Sequence, residues 1–300
     1  MELSKLTKYL LFTFGVTWII AIIVCNALNS GTESGEALFN NSLALCMFIP
    51  TIGALIAKAD IKGMGWNPKI EKNWKYLLIA WLAPTVLQIL GAVCYYIVFP
   101  EDLDLSGEFF REYSPHNYED FEACGSSFVS YFAGKIADSL FSCDLMITTV
   151  LGLGEEIGWR GFMYPELKER FGGIKGVLLG GVIHGAWHFP VMLLVGYEYG
   201  TDYIGAPLLG LFAFCLYTTA TGVIHNFLYE KSGCILLCAI YHAAINSVFS
   251  PSVLGRGEGR RIFGPSDIGL VAVFPTVLVA AGILYFTYRN EQREFAELEQ

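Results

Sequence analysis

The sequence GEEIGWRG, residues 154–161, ends a long apolar segment with two adjacent carboxylates and an arginine. A charged side chain at the centre of a bilayer costs about 2.5–3.5 kcal/mol on insertion scales, so it needs a partner, a cavity or a chemical task. Glu156 and Arg160 are four residues apart and can pair on one helical face. Glu155 is rotated from Glu156 by about 100°. The two carboxylates therefore need not share a role, although alone this stretch also fits an ordinary ion pair at a cytoplasmic helix end.

The composition around this stretch is that of a membrane protein. Hydrophobic residues make up 54% of the 300-residue chain and charged residues only 16%, and the mean hydropathy is +0.49. A soluble domain is about 25% charged. The net charge of −9 argues against a nucleic-acid partner.

Eight segments have the length of about 20 mostly apolar residues that a spanning helix needs. The first apolar run is longer than the core of a signal peptide, so we interpret it as a retained helix. The chain is therefore predicted to be all-α, one polytopic membrane domain over residues 1–300 with about eight transmembrane helices. The predicted spans are Tyr9–Ala27, Leu38–Ala57, Tyr76–Phe99, Phe128–Leu153, Ile174–Gly196, Ile204–Tyr229, Cys234–Val253 and Ile268–Tyr288.

The basic residues of the loops predict the orientation, because Lys and Arg favour the cytoplasmic side. The N-terminal segment and the second, fourth and sixth loops are basic, whereas the first, third and fifth carry acids and one arginine, Arg111. Both termini are thus predicted to be cytoplasmic, with an extracellular polar loop at 100–127 and a cytoplasmic tail at 289–300. The seventh loop disagrees, since its three arginines would be outside: Arg256, Arg260 and Arg261.

Two further features bear on the helices. The fourth span contains Lys135 and Asp138, which can pair at a spacing of three, and Asp144, which has no local partner. Such a helix is expected to face the protein interior or a cavity. The eight cysteines include no CxxC pair, so we expect reduced residues packed as small hydrophobic groups.

Two later spans carry polar pairs at helical spacing. His184 and His188 are four apart in the fifth span, as are His242 and Asn246 in the seventh. Each pair alone is explained by hydrogen bonds between helices, and we interpret His225 with its neighbour Asn226 in that structural way. Together with the glutamates, however, they indicate a catalytic core over about residues 128–253.

These groups suit hydrolysis by water. A carboxylate and an imidazole can take a proton from water and return it to a leaving amine. A second imidazole and a carboxamide can stabilise a tetrahedral oxyanion by about 3 kcal/mol per donor. No Ser or Cys stands in a nucleophile context, so water is the expected attacking group.

The motifs Glu155-Glu156-x-x-x-Arg160, His188 and His242-x-x-x-Asn246 resemble those of the CPBP family, also called ABI or CAAX-protease-and-bacteriocin-processing proteins, which includes the type II CAAX prenyl endopeptidases. The resemblance extends from Gly154 to Asn246. One position departs from it, because the second family motif reads Phe-x-x-x-His and His184 occupies the aromatic place. His184 is therefore a candidate accessory residue.

The resemblance implies an eight-helix intramembrane endopeptidase with a cavity open to the cytoplasm. In that reading Glu155 and His188 activate water, and His242 and Asn246 form the oxyanion site. Glu156 and Arg160 would orient the site and balance its charge. The expected substrate is a membrane-associated peptide or protein in the lipid bilayer, and the expected location is a bacterial cell membrane.

Alternatives stay open for the metal and for the function. Zinc could be held by Glu155, His188 and His242 with water at the fourth position, but a nearby Arg160 opposes a cation, so a metal-free site is preferred. The alternative function is a non-catalytic immunity protein that binds a peptide or toxin. A transporter or proton relay is a third hypothesis, and the lack of duplicated halves in the sequence argues against it.

Overall fold

The computed structural model describes residues 3–255 and 259–298, and these residues form the all-α architecture that the sequence predicts. Short 3₁₀ turns lie at Ile61–Met64, Pro100–Asp102 and Pro251–Leu254, and a π-helical turn lies at Trp159–Met163. The helices are α1 (Lys5–Leu28), α2 (Glu33–Cys46), α3 (Ile49–Ile56), α4 (Ile70–Val98), α5 (Glu108–Tyr113), α6 (Pro115–Cys124), α7 (Phe128–Phe141), α8 (Cys143–Gly158), α9 (Tyr164–Phe171), α10 (Gly173–Trp187), α11 (Phe189–Val195), α12 (Leu208–Ser232), α13 (Ile235–Ser247) and α14 (Phe274–Leu298).

By length and composition, six helical segments of the described chain can cross a membrane, or seven if one bent pair counts as a span. The protein is thus a multi-pass integral membrane protein, but the predicted count of eight is not confirmed. The eighth predicted span, Ile268–Tyr288, is displaced, because the residues before Phe274 form turns and α14 continues to Leu298. Residues 299–300 of the predicted tail lie outside the described residues.

The predicted fourth span is not one continuous helix. Ser142 separates α7 from α8 and caps α8 by accepting a hydrogen bond from the Leu145 N–H, and the axes bend by 53°. The predicted pairing of Lys135 with Asp138 is wrong, since Lys135 Nζ lies 3.5 Å from Asp120 Oδ2. The predicted inward orientation is also wrong for two acids, because Asp138 and Asp144 are exposed.

The stretch at residues 100–127 is polar but structured, since it contains α5 and α6. Phe110 packs against Phe128, Tyr131 and Val253 in an aromatic cluster that fixes this segment to the helix bundle. The segment therefore has a core of its own above the ends of the spans.

The seventh loop, whose arginines disagreed with the predicted orientation, is attached to the third. Arg260 pairs with Glu101, and its Nη1 lies 3.2 Å from Asp102 Oδ1. These charge-assisted bonds hold the two loops at one end of the molecule. Arg256 lies outside the described residues. All eight cysteines are free, but the expected packing is wrong for Cys124 and Cys143, which are exposed.

Candidate active site

Glu155 lies in the last turn of α8 and is only 3% exposed. The indole Nε1 of Trp159, one helical turn later, donates to Glu155 Oε2 at 2.9 Å. His184 Nε2, on α10, lies 3.2 Å from the same oxygen. A carboxylate can only accept, so His184 carries a proton on Nε2. Two donors therefore anchor Oε2, and Oε1 is left facing His242 Nε2 at 4.0 Å.

Glu156 points to a different environment, as its rotation from Glu155 predicts. The predicted ion pair is present, with Arg160 Nη1 2.8 Å from Glu156 Oε1, and both side chains are at most 1% exposed. His242 Nδ1 donates to the same oxygen at 2.8 Å. The Tyr164 ring lies over the guanidinium, 4.9 Å from its carbon. Glu156 is therefore a core carboxylate that holds Arg160 and orients His242.

Glycines on α8 allow these contacts. A Cβ at Gly152 would lie 3.2 Å from the His242 side chain, so glycine lets α13 approach at this level. A Cβ at Gly154 would lie 2.8 Å from the Met47 carbonyl oxygen, and one at Gly158 would lie 2.6 Å from the Pro50 carbonyl carbon. Small residues of this kind bring membrane helices together. The glycine pattern thus sets α8 tightly between α13 and the α2–α3 region.

His188 and Asn246 share the cavity without bonding to the glutamates in the described hydrogen-bond network. His188 Nδ1 lies 3.2 Å from the His184 carbonyl oxygen and donates to it, which leaves Nε2 available as an acceptor. Its ring stands edge-on to Phe214, with centroids 4.9 Å apart. Asn246 is exposed within the cavity. The structure therefore brings His184 to Glu155 directly and places His188 beside them.

His225 is a member of the cluster that the sequence reasoning set aside as structural. Its Nδ1 donates to the Thr221 carbonyl at 2.9 Å, and its Nε2 lies 3.7 Å from Glu156 Oε1. Asn226 turns elsewhere and accepts from Lys168 Nζ at 3.1 Å. Counting residues from the helix ends could have identified His225. It lies seven residues before the end of α12, and His242 lies seven residues after the start of α13, so the two histidines lie at similar depth.

The cluster lies at the base of a cavity of about 520 Å³. Glu155, His184, His188, His225, His242 and Asn246 all line it, and its far wall is formed by loop residues that include Glu198, Ser250, Ser266 and Asp267. Those residues come from the fifth and seventh loops, opposite the basic loops. The resemblance implies that the cavity opens to the cytoplasm, whereas the Lys and Arg pattern predicts that the basic loops are cytoplasmic. These two expectations conflict, because the cavity wall continues into the loops at the other end of the spans.

The outer wall of the cavity carries two carboxyl groups with raised pKa values. Removal from bulk water raises the pKa of Glu198 to about 7, and the negative charge of the nearby Asp267 adds to this rise. The Glu198 side chain is exposed towards the cavity. Burial raises the pKa of Asp267 to about 6, against hydrogen bonds from Tyr217 and Ser266 that lower it. Both groups titrate near neutral pH, so the charge of this wall changes in that range.

The described side chains offer one candidate set of metal ligands. Ligand atoms of Glu156, His225 and His242 lie within 4.8 Å of one another, a set that shares only His242 with the zinc ligands considered from the sequence. The fit is poor, because Glu156 Oε1 already accepts from Arg160 and from His242. A guanidinium on the same oxygen opposes a second cation by like-charge repulsion.

The fold and site define a multi-pass α-helical membrane protein with a buried Glu–His cluster at the base of a cavity. Residues 139–248 match the family model described as Type II CAAX prenyl endopeptidase Rce1-like. The chain is also 30% identical over 132 residues to CAAX prenyl protease 2 of Methanococcus maripaludis. The aligned residues cover 44% of this chain and 45% of that protein. The chain thus matches less than half the length of this relative. The two matches confirm the resemblance to the CPBP family of CAAX-type proteases that the motifs indicate.

Proposed function

We propose that this protein is an intramembrane endopeptidase of the CAAX-protease type that cleaves membrane-associated peptides or proteins with water as the nucleophile. The observation that carries the proposal is Glu155, whose carboxylate is anchored through one oxygen and presents the other to His242 within a cavity. The family match and the named relative support a peptidase.

The first step is removal of a proton from water. Trp159 and His184 fix Oε2 of Glu155, so Oε1 is free to accept that proton while the water oxygen bonds to the carbonyl carbon. His188 is held through Nδ1 by the His184 carbonyl, and its Nε2 can accept or relay a proton in the cavity. General base catalysis of this kind contributes about 10²–10⁴-fold.

The second step needs donors for the oxyanion. The Asn246 amide can donate as it stands. His242 uses its Nδ1 proton on Glu156, so its Nε2 can donate only when the ring is an imidazolium. Glu156 stabilises that cation, and Arg160 limits how much negative charge Glu156 carries into the core. When the carbon–nitrogen bond breaks, the leaving amine takes the proton held by Glu155, which restores the carboxylate.

The proposed chemistry uses no metal ion. The Glu–His network supplies a base, a relay and donors from side chains alone, and the poor fit of the Glu156, His225 and His242 set favours this reading.

The test is comparative peptidomics of cells that express the wild-type chain, Glu155→Gln or His188→Ala. Glu166→Gln, a partner of Arg170 on the α9 surface, is the matched control for the loss of one carboxylate. We expect product peptides to fall at least 100-fold in both site variants, by the usual size of general base catalysis, and to persist in the control. Each variant must accumulate in the membrane at the wild-type level.

Retained cleavage in Glu155→Gln would contradict the mechanism. Protection of cells by all variants alike, without any cleavage, would instead support the non-catalytic immunity protein.

A further inference from the structure

We infer that the cavity opens on the extracytoplasmic side, so that the substrate is a segment of an exported or membrane-anchored polypeptide presented outside the cytoplasm. This inference rests on the proposed peptidase function. It concerns the side of the membrane from which the cavity is filled.

The position of the mouth is set by the helices that line the cavity. His188 lies 15 residues after the start of α10 at Gly173, which is about 22 Å of helix. Beyond it the wall continues into Glu198, past the end of α11. Asn246 and Glu198 are exposed in this upper part. The cavity therefore rises from the glutamates towards the ends of the spans that carry the fifth and seventh loops.

The opposite end of the cluster is closed. Trp159, Arg160 and Tyr164 come after the glutamates along the chain, and each is at most 1% exposed. Met64, from the second loop region, packs into the same hydrophobic cluster and is 4% exposed. The described lining of the cavity includes no residue of the second loop, and Glu155 is its only residue between positions 154 and 173. A peptide therefore has its route to Glu155 from the fifth-loop side.

The closed end carries the positive charge of the chain. Short basic loops stay in the cytoplasm, and acidic residues contribute little to this preference. The lysines and arginines at the closed end, among the described residues, are Lys5, Lys8, Lys58, Lys62, Lys69, Lys72, Lys75, Lys168, Arg170, Lys175, Lys231, Arg289 and Arg293. At the open end they are Lys135, which pairs with Asp120 of the third loop, and Arg111, Arg260 and Arg261. Arg160 is buried beside Glu156 and is counted at neither end. The charge distribution thus orients the closed end to the cytoplasm.

The one disagreeing loop is consistent with this orientation. Arg260 is bound to Glu101 and Asp102 of the third loop, so its charge is balanced locally at the open end. Leu103 and Gly255 also form a β-bridge between the two loops. The third and seventh loops therefore lie on one side together.

The charge of the mouth also bears on the substrate. Among the described residues that line the cavity there is no lysine or arginine, whereas Glu198 and Asp267 stand on its outer wall. Arg261 lies beside Gly200 of the fifth loop, outside that lining. Like charges repel across a site of low dielectric. The mouth therefore favours neutral or cationic segments over acidic ones.

Labelling of thiols in intact cells with a membrane-impermeant maleimide tests the side of the mouth. Cys124 is a native exposed thiol at the end of α6. A background in which both exposed cysteines are replaced, Cys124→Ser and Cys143→Ser, receives Glu198→Cys at the mouth or Asp202→Cys in the same loop. Lys72→Cys in the second loop is the matched control. We expect Cys124 and both fifth-loop cysteines to react in intact cells, and Lys72→Cys to react only after permeabilisation. The reverse pattern would overturn the inference.

Comparison of wild-type and Glu155→Gln cells, with the medium and cytosol collected separately, tests the substrate side. Peptides that depend on Glu155 are expected in the medium or on the outer surface. Their confinement to the cytosol would overturn the inference even if cleavage itself is confirmed. If neither compartment differs, the peptidase function fails and the substrate inference fails with it, whereas the labelling pattern still decides where the cavity opens.

Discussion

The ion pair between Glu156 and Arg160 should be strongly coupled, and a double-mutant cycle measures this coupling. The two charges are 2.8 Å apart and almost fully buried. Removal of one partner of a buried pair leaves an uncompensated charge and costs about 3–5 kcal/mol. Arg160→Met should therefore destabilise the protein by about 3–5 kcal/mol.

Glu156→Gln should cost less than Arg160→Met. It leaves the guanidinium beneath the Tyr164 ring, and the new amide oxygen can still accept from His242 Nδ1. The double variant Glu156→Gln/Arg160→Met leaves no buried charge at the pair. Its loss should be smaller than the sum of the single losses by about 1.5–3 kcal/mol, the size of a hydrogen bond to a charged group.

The assay is reversible unfolding of the detergent-solubilised protein in a denaturant series, with the wild type and the three variants in one buffer. Independent sites add to within about 0.5 kcal/mol. If the double variant loses the sum of the single losses within that margin, the pair does not couple, and the assignment of Glu156 as a core carboxylate held by Arg160 is refuted.

Three further predictions address the rest of the molecule. Asp267→Asn should raise the unfolding temperature at pH 8 and have little effect at pH 4. The pKa of Asp267 is raised from 3.8 to about 6, so the wild-type fold loses stability as the pH rises from the lower value through the higher one. The gain in the variant at pH 8 is on the order of 1 kcal/mol. Exposed Asp202→Asn is the matched control, and an equal gain at both pH values would contradict the assignment. Gly158→Ala should destabilise the protein by about 1–3 kcal/mol in the same unfolding assay, because the new Cβ would overlap Pro50. The control Gly282→Ala should not destabilise it, since no atom lies within 4 Å of the new Cβ. Equal stability of the two variants would disprove the close packing of α8. Purified protein should contain no stoichiometric zinc by elemental analysis, and it should keep its peptide-cleavage activity in the presence of a chelator. If removal of zinc abolished the activity and its return restored it, the metal-free site would be overturned.

The sequence predicts the class of fold because hydrophobic length is a local property. The Glu156–Arg160 pair was predictable for the same reason, since a spacing of four fixes it within one helix. The break at Ser142 was not, because serine and its apolar neighbours also occur within continuous spans, and only the N-cap hydrogen bond reveals the bend. Likewise Lys135 turns to Asp120, which lies 15 residues away on another helix.

The site was predictable as a set of residue types but not as a network. Spacing identified His184 with His188, yet it could not show that His184 is the residue bonded to Glu155. That contact depends on how α10 rotates against α8. The role of His225 depends on the α12–α13 hairpin, which brings two histidines from different spans to one depth. Trp159 offered no polar signal, because indole is commonly apolar packing and its one N–H matters only once a carboxylate is beside it.

The adjacency of Glu155 and Glu156 makes the chain intolerant of changes in length along α8. Deletion of one residue between Gly152 and Glu155 would rotate the later part of the helix by about 100°. Glu156 would then take the place of Glu155 in the cavity, and Ile157 would take the place of Glu156 in the core. The glycine contacts leave no clearance in which neighbouring helices could accommodate that rotation. At Trp159–Met163 the helix already contains one π-helical turn, whose i→i+5 hydrogen bonding makes it wider than an α-helical turn. Length variation can be absorbed beyond Met163, where α9 leads to the surface, and the two glutamates would keep their separate surroundings.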